Sequence, residues 1–237
     1  INEDLRVFLP EFYKSIKRKK LGNYNKWSSS CNNLKISNPM INNSHKKNPI
    51  DLYYFMNKVG ELSNRNNVLV TDAGSNYYIG GQVWKFNKGQ KELTSGSNAA
   101  MGLTIPLSIG AAIARNNCQV LAITGDGSLE LNIQELKTIS QYKLNIKLFV
   151  INNGGYVSMH NWQDTFFEGR RVDTSKDTGE GTLNFKNIAE AFDLEHYKID
   201  NYQSVEKNLR KIMSNNKPYF IEVLTDPKQK IYDSFKD

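Results

Sequence analysis

Only two cysteines, Cys31 and Cys118, occur among 237 residues, with neither a CxxC spacing nor a histidine beside either. That excludes a disulfide framework and a zinc cluster, and predicts plain thiols in a reducing compartment such as the cytoplasm. Histidine is equally sparse: His45 and His196 belong to no motif, and His160 has no fixed partner that would make it an acid or base. No apolar run approaches the roughly 20 residues of a membrane-spanning helix. The first ten residues lack the basic head, apolar middle and small-residue cleavage site of a signal peptide. A soluble protein without a membrane partner is the expectation. Hydrophobic residues at 39% and charged residues at 23% suit one large domain, or one domain with appendages.

The net charge of +7 suggests nucleic acid until its distribution is considered. Residues 1–50 hold 10 Lys/Arg against 3 Asp/Glu, whereas residues 51–237 hold 21 against 21. The folded body is neutral, so no basic groove is implied. The run Lys17-Arg18-Lys19-Lys20 reads as a solvated basic face, and no aromatic interleaving supports RNA stacking. No nucleic-acid partner is expected.

Residues 1–20 begin with helical spacing (Leu5, Phe8, Leu9, Phe12, Ile16), and residues 21–49 are rich in Asn, Ser and Lys with prolines at 39 and 49, which predicts a linker. The chain opens on Ile rather than Met, which suggests that the first helix ends a preceding domain. Residues 1–50 are therefore expected to be a domain tail plus basic linker, and 51–237 the main domain. There, a helix over 52–62 leads to a short strand at 68–71. The near-continuous apolar runs QVLAIT (119–124) and IKLFVI (146–151) predict parallel strands covered on both faces. Between them, apolar positions 131, 133, 136 and 139 predict an amphipathic crossover helix over 130–142. Helices near 184–192 and 204–215 and a strand at 219–224 follow. This alternation predicts an α/β fold with a doubly wound, mostly parallel sheet flanked by helices, whose ligands bind outside the carboxyl ends of the strands.

Three loops follow predicted strands and emerge on that edge: TDAGSN (71–76), GDGS (125–128) and NNGG (152–155). Asp126 and Asn153 lie 27 residues apart, separated by one loop, one helix and one strand. With the two strands as neighbours, a carboxylate and an amide oxygen converge. A hard divalent cation takes such oxygen donors together with ligand phosphates and water, and the carbonyl of Gly155 can add another oxygen. Gly125 and Gly127 let the backbone approach an anion at a helix start. The expected occupant is a magnesium-bound diphosphate. GDG alone is a weak signal that ordinary turns also carry, but GDGS and NN after successive strands are a stronger one.

This pair resembles the signature of thiamine diphosphate-dependent enzymes. Met101-Gly102, Pro106, Ile109-Gly110-Ala111, Gln134-Glu135-Leu136 and Asn161-Trp162-Gln163 extend the resemblance to the acetolactate synthase-like branch, so that it covers nearly all of the chain. Residues 1–16 resemble the tail of that branch's central domain. The resemblance implies the thiamine diphosphate-binding fold of a C-terminal, diphosphate-side domain. It implies that Asp126, Asn153 and the Gly155 carbonyl hold Mg²⁺. Gly74, Ser75 and Asn76 would meet the diphosphate with Gly125, Gly127 and Ser128. Met101 would wedge beneath the cofactor and keep it bent. The carbonyl of Ala99, where the branch usually has glycine, would accept from its amino group, and Trp162 would shape the substrate entrance. Without the resemblance, Met101 reads as core and Trp162 as packing. Residues 167–182 read either as a lid or as a plain exposed loop.

The implied activity is a lyase or transferase reaction: decarboxylation of a 2-oxo acid such as pyruvate, then protonation to an aldehyde or carboligation to a second carbonyl, with the cofactor as electron sink. The activating glutamate of this family sits on a separate pyrimidine-binding domain, and nothing of that kind is recognisable here. Glu130 and Glu135 belong to the crossover helix. The isolated chain is accordingly expected to be nearly inactive, and to need its own pyrimidine-binding domain or a partner subunit in a homodimer or homotetramer. FAD use and the acceptor substrate are left open. A 2-oxo acid decarboxylase, a sugar-pathway carbon–carbon lyase and a non-catalytic thiamine diphosphate-binding module are the alternatives. An ordinary nucleotide-binding fold is disfavoured because GxGxxG and GxxxxGK[ST] are lacking.

Overall fold

A computed structural model describes residues 2–19, 22–179, 181 and 183–232. The chain divides into two compact units, Ile1–Pro39 and Met40–Asp237. The first contains α1 (Leu5–Lys17), capped by Asp4, whose carboxylate accepts the N–H of Arg6, and α2 (Asn25–Ser37). Neither helix buries a residue. Where the Asn- and Ser-rich composition predicts a linker, α2 is thus a regular helix, with Trp27 and Leu34 left exposed. Lys20, the last of the basic run, lies outside the described residues.

Residues 40–50, expected in the linker, pack within the second unit. His45 is buried with its ring 2.9 Å from the Tyr232 hydroxyl, and Ile50 bridges to Thr225. The sheet region then follows as α3 (Leu52–Leu62), β1 (Val68–Thr71), α4 (Gly74–Val83), β2 (Lys91–Leu93), α5 (Thr104–Ala114), β3 (Val120–Gly125) and α6 (Asp126–Glu130). After these come α7 (Leu136–Gln141), β4 (Ile146–Asn152), α8 (Val157–Phe166), α9 (Phe185–Ala191), β5 (Glu195–Ile199), α10 (Val205–Met213) and β6 (Tyr219–Leu224). The sheet order is β2-β1-β3-β4-β6-β5 and every pairing is parallel. This is the doubly wound α/β arrangement expected from the sequence.

Each face of the sheet carries its own core. Leu121, Phe149 and Val223 pack with Phe55 of α3 and Leu209 of α10 on one side. Val70, Ala122, Leu148 and Phe220 pack with Ala112 of α5 and Ala189 of α9 on the other. Burial of each large apolar side chain contributes about 1.5–3 kcal/mol. The expected continuous helix over 130–142 is broken instead. Asn132 leaves helical geometry (φ −140°) to donate its side-chain amide to the Gly102 carbonyl at 2.8 Å, and a 3₁₀ turn intervenes before α7. Both cysteines are free thiols. Among the described residues no helix is long and apolar enough to cross a membrane.

Lys147, on β4, is fully buried. Its ammonium donates to the Asn215 carbonyl at 2.8 Å and to the Lys217 carbonyl, and lies 4.8 Å from the centre of the Tyr219 ring. Burial pushes its pKa down to about 8. Between that value and the ordinary 10.5 the unfolded chain binds more protons than the native one, so this residue makes stability rise with pH. Denaturant unfolding of the wild type should gain about 1–2 kcal/mol from this source between pH 7 and pH 9.5. The Lys147→Met variant should lack that gain, and equal pH slopes for the two proteins would refute the assignment.

Candidate functional site

Parallel pairing brings the carboxyl ends of β1, β3 and β4 side by side, with Thr71 opposite Ile123 and Gly125 opposite Ile151. The order in which strands are added to the sheet reverses between β1 and β3, the position where doubly wound sheets open a crevice. A cleft of about 620 Å³ opens there. Its wall contains Gly74, Ser75, Asn76, Ala99, Met101, Gly125, Asp126, Gly127, Ser128, Asn153, Gly155 and Trp162. All the site residues that the sequence suggests therefore share one cavity.

Asp126 is the hub. One carboxylate oxygen accepts the backbone N–H groups of Asn153, Gly154 and Gly155 at 3.1, 2.9 and 3.0 Å, and the other accepts that of Gly127 at 2.9 Å. Burial pushes its pKa above the usual carboxylate range, and those four N–H groups pull against the shift. The side-chain oxygen of Asn153 is buried without a hydrogen-bond partner. The Gly155 carbonyl accepts the Val157 N–H at 3.0 Å and keeps a second lone pair. Gly155 has φ +127°, a conformation that essentially only glycine adopts. These are hard oxygen donors with unused capacity, a set that fits Mg²⁺.

The first loop delivers the start of α4 to the cleft. Its cap, Ala73, makes no side-chain hydrogen bond to the helix, so the first N–H groups are left for other acceptors. The Ser75 hydroxyl is buried and unpartnered. Asn76, also in the cleft wall, uses its side-chain amide to donate to the Ile123 carbonyl at 3.0 Å, which ties α4 to β3. Ser128 is committed as well. Its hydroxyl donates to Asp72 at 2.6 Å and accepts the Gly102 N–H at 2.8 Å, so its side chain serves the loop that carries Met101.

Asp72, to which the sequence assigns no role, is fully buried. It accepts from Ala73 N–H (2.7 Å), the Ser128 hydroxyl, Thr104 N–H (3.4 Å) and the Thr124 hydroxyl (3.4 Å). It thus holds three loops in register. The available signal was a carboxylate directly after an apolar strand. Ala99 stands in left-handed backbone (φ 44°, ψ 41°) at the end of a 3₁₀ turn. Gly127 is required by close approach, because a methyl group there would collide with the Tyr156 ring, 2.9 Å from Cζ.

On α8, Trp162 is 59% exposed and lies against Phe166, with ring centres 4.6 Å apart and the planes tilted by 38°. Met159, Phe167 and Val172 are exposed nearby, which makes an apolar rim. His160 is buried and bonds the Thr174 carbonyl. Residues 170–179 are strapped to α8 and to the loop before it. Arg171 bonds Asp164 through two nitrogens (2.9 and 2.7 Å), the Tyr156 N–H donates to the Thr174 carbonyl (2.9 Å), and Gly155 bridges Ser175. Residues 180 and 182 of that segment lie outside the described residues. Among the described residues, the cleft wall contains no glutamate.

An oxygen-donor cradle beside an open helix start, on the edge of a parallel sheet, defines an α/β domain suited to a phosphorylated ligand. Residues 72–223 match the family described as thiamine pyrophosphate enzyme, C-terminal TPP binding domain. The chain belongs to that family, and its cofactor is thiamine diphosphate. Its relatives include the large subunit of acetolactate synthase isozyme 1 from Escherichia coli, 33% identical over 184 residues (78% of this chain, 32% of that protein). The acetolactate synthase large subunit of Lactococcus lactis is 34% identical over 166 residues (70% and 28%). Acetolactate synthase 1, chloroplastic, of Nicotiana tabacum is 28% identical over 205 residues (85% and 31%). The chain thus spans about a third of the length of the curated relatives it matches.

Two substitutions test this geometry. Ala99→Gly relieves left-handed strain and should raise stability by about 0.5–1 kcal/mol after the entropy gained by the unfolded chain is deducted. Destabilisation in a denaturant titration would refute it. Gly127→Ala should cost about 1–3 kcal/mol because Tyr156 must shift. A stability equal to wild type would show that the ring yields freely.

Proposed function

We propose that the chain is the diphosphate-side half of a thiamine diphosphate-dependent 2-oxo acid decarboxylating carboligase of the acetolactate synthase kind. The observation that carries the metal reading is the buried, unpartnered Asn153 oxygen in the same wall as the Asp126 carboxylate. Asp126, Asn153 and the Gly155 carbonyl would hold Mg²⁺. The Ser75 hydroxyl and the first N–H groups of α4, with the backbone at Gly74, Gly125, Gly127 and Ser128, would take the diphosphate oxygens. When bound, the cofactor supplies the electron sink for loss of CO₂.

The other residues orient and exclude. Met101 is placed through the residue that follows it, since the Gly102 N–H is fixed by Ser128 and the Gly102 carbonyl by Asn132. That placement suits a wedge beneath the cofactor. The Ala99 carbonyl would accept a hydrogen bond from the cofactor's amino group. Trp162 and Met159 give the entrance an apolar lining that keeps water from the reacting carbon. The activating glutamate would come from a pyrimidine-binding domain elsewhere in the protein or in a partner subunit. The exposed apolar rim of α8 supports a second surface there, in a homodimer or homotetramer.

Calorimetry of the full-length protein with thiamine diphosphate, with and without Mg²⁺, tests the site, and ATP serves as the control ligand. Asp126→Ala should weaken Mg²⁺-dependent cofactor binding at least about tenfold. Unchanged affinity would remove the metal assignment. Pyruvate consumption with release of CO₂ by the same protein is the expected activity, and its absence in the cofactor-loaded protein would favour a non-catalytic binding module.

A further inference from the structure

β6 reads Tyr-Phe-Ile-Glu-Val-Leu, and its only charged residue, Glu222, has a side chain just 11% exposed. A carboxylate in such a strand costs several kcal/mol unless donors receive it. Parallel pairing sets Glu222 opposite Val150 of β4 and Lys198 of β5. Because side chains alternate along a strand, Asn152, two residues beyond Val150, projects from the same face. The Asn152 amide donates to the Glu222 carboxylate at 2.8 Å. Lys198 lies 3.6 Å from the same oxygen, and His196 lies 3.5 Å from the other.

Asn152 immediately precedes Asn153, and its backbone carbonyl accepts the Thr225 N–H at 3.0 Å. The loop over 152–155 is therefore gripped from two directions. Asp126 on the β3 side holds its N–H groups, and Glu222 on the β6 side holds the side chain of its first residue. Together they fix the peptide from which the unpartnered Asn153 oxygen projects. We propose that Glu222 is a positioning residue for the metal-binding loop, acting through the Asn152 amide. This rests on the magnesium reading of Asp126 and Asn153.

The test titrates Mg²⁺ into the full-length protein at fixed thiamine diphosphate, follows binding by calorimetry, and records the thermal midpoint of each apo protein. Glu222→Ala should raise the half-saturating Mg²⁺ about tenfold, the scale on which outer-shell partners tune metal affinity. Glu222→Gln keeps an oxygen that accepts from Asn152 and should stay within about twofold of wild type. A lowered thermal midpoint with unchanged Mg²⁺ dependence in Glu222→Ala would show a merely structural role and overturn the proposal. A Gln variant as weak as the Ala variant would overturn it too. Should Glu222→Ala fail to fold, Asn152→Ala breaks the same bond from the donor side and must give the same rise, and no rise there would refute the proposal. Failure of the underlying metal reading shows separately, as intact Mg²⁺ dependence in Asp126→Ala.

Discussion

The site depends on one carboxylate accepting three consecutive N–H groups. A chain leaving β4 has no intrinsic reason to fold its next peptides inward, and Gly155 at φ +127° is open to almost no other residue. Asp126, at the end of the neighbouring strand, supplies the reason. Hydrogen bonds to a charged acceptor contribute about 1.5–3 kcal/mol each, enough to hold a loop that has little apolar burial of its own. Burial works against the charge and raises the Asp126 pKa. A cation on the cleft side would relieve that penalty, so the force that shapes the loop and the chemistry assigned to it share one group.

How much of the fold was legible follows from burial. β3, β4 and β6 are covered on both faces, so their sequences are near-continuous apolar runs interrupted only by Lys147 and Glu222, and the strands fall within a residue of where those runs place them. β2 and β5 lie at the two edges of the sheet. Lys91–Leu93 is exposed throughout and Glu195–Ile199 buries only its last residue, so neither carries an apolar signal. α2 escaped for the same reason in helical form, since nothing in it is buried and its composition is that of a linker. The interruption before α7 comes from Asn132 bonding a carbonyl 30 residues away, and no local periodicity encodes that.

Within the site, the pair Asp126 and Asn153 was legible because a strand, a crossover and a second parallel strand fix where the chain returns. The commitments of individual side chains were not. Nothing near Ser128 says that its hydroxyl belongs to Asp72, 56 positions earlier, and nothing near Gly127 announces the Tyr156 ring above it. Ala99 lies between these cases. The resemblance marked its position as one where glycine is expected, and the left-handed backbone found there is the conformation that glycine adopts without strain.

Asp72 and Asp126 show why a buried carboxylate is not by itself a ligand. Both have the same hydrogen-bond arithmetic: one oxygen accepts three donors and the other accepts the N–H of the following residue. Asp72 is fully enclosed and receives two of its bonds from hydroxyls, so its role is to keep loops in register. Asp126 receives only backbone donors and lies in the cleft wall. That wall also contains two buried polar atoms without partners, those of Ser75 and Asn153. Buried polar groups are normally satisfied, and of the seven such atoms among the described residues these two alone line the cleft, so they are the ones that a ligand seated beside the Asp126 carboxylate could complete.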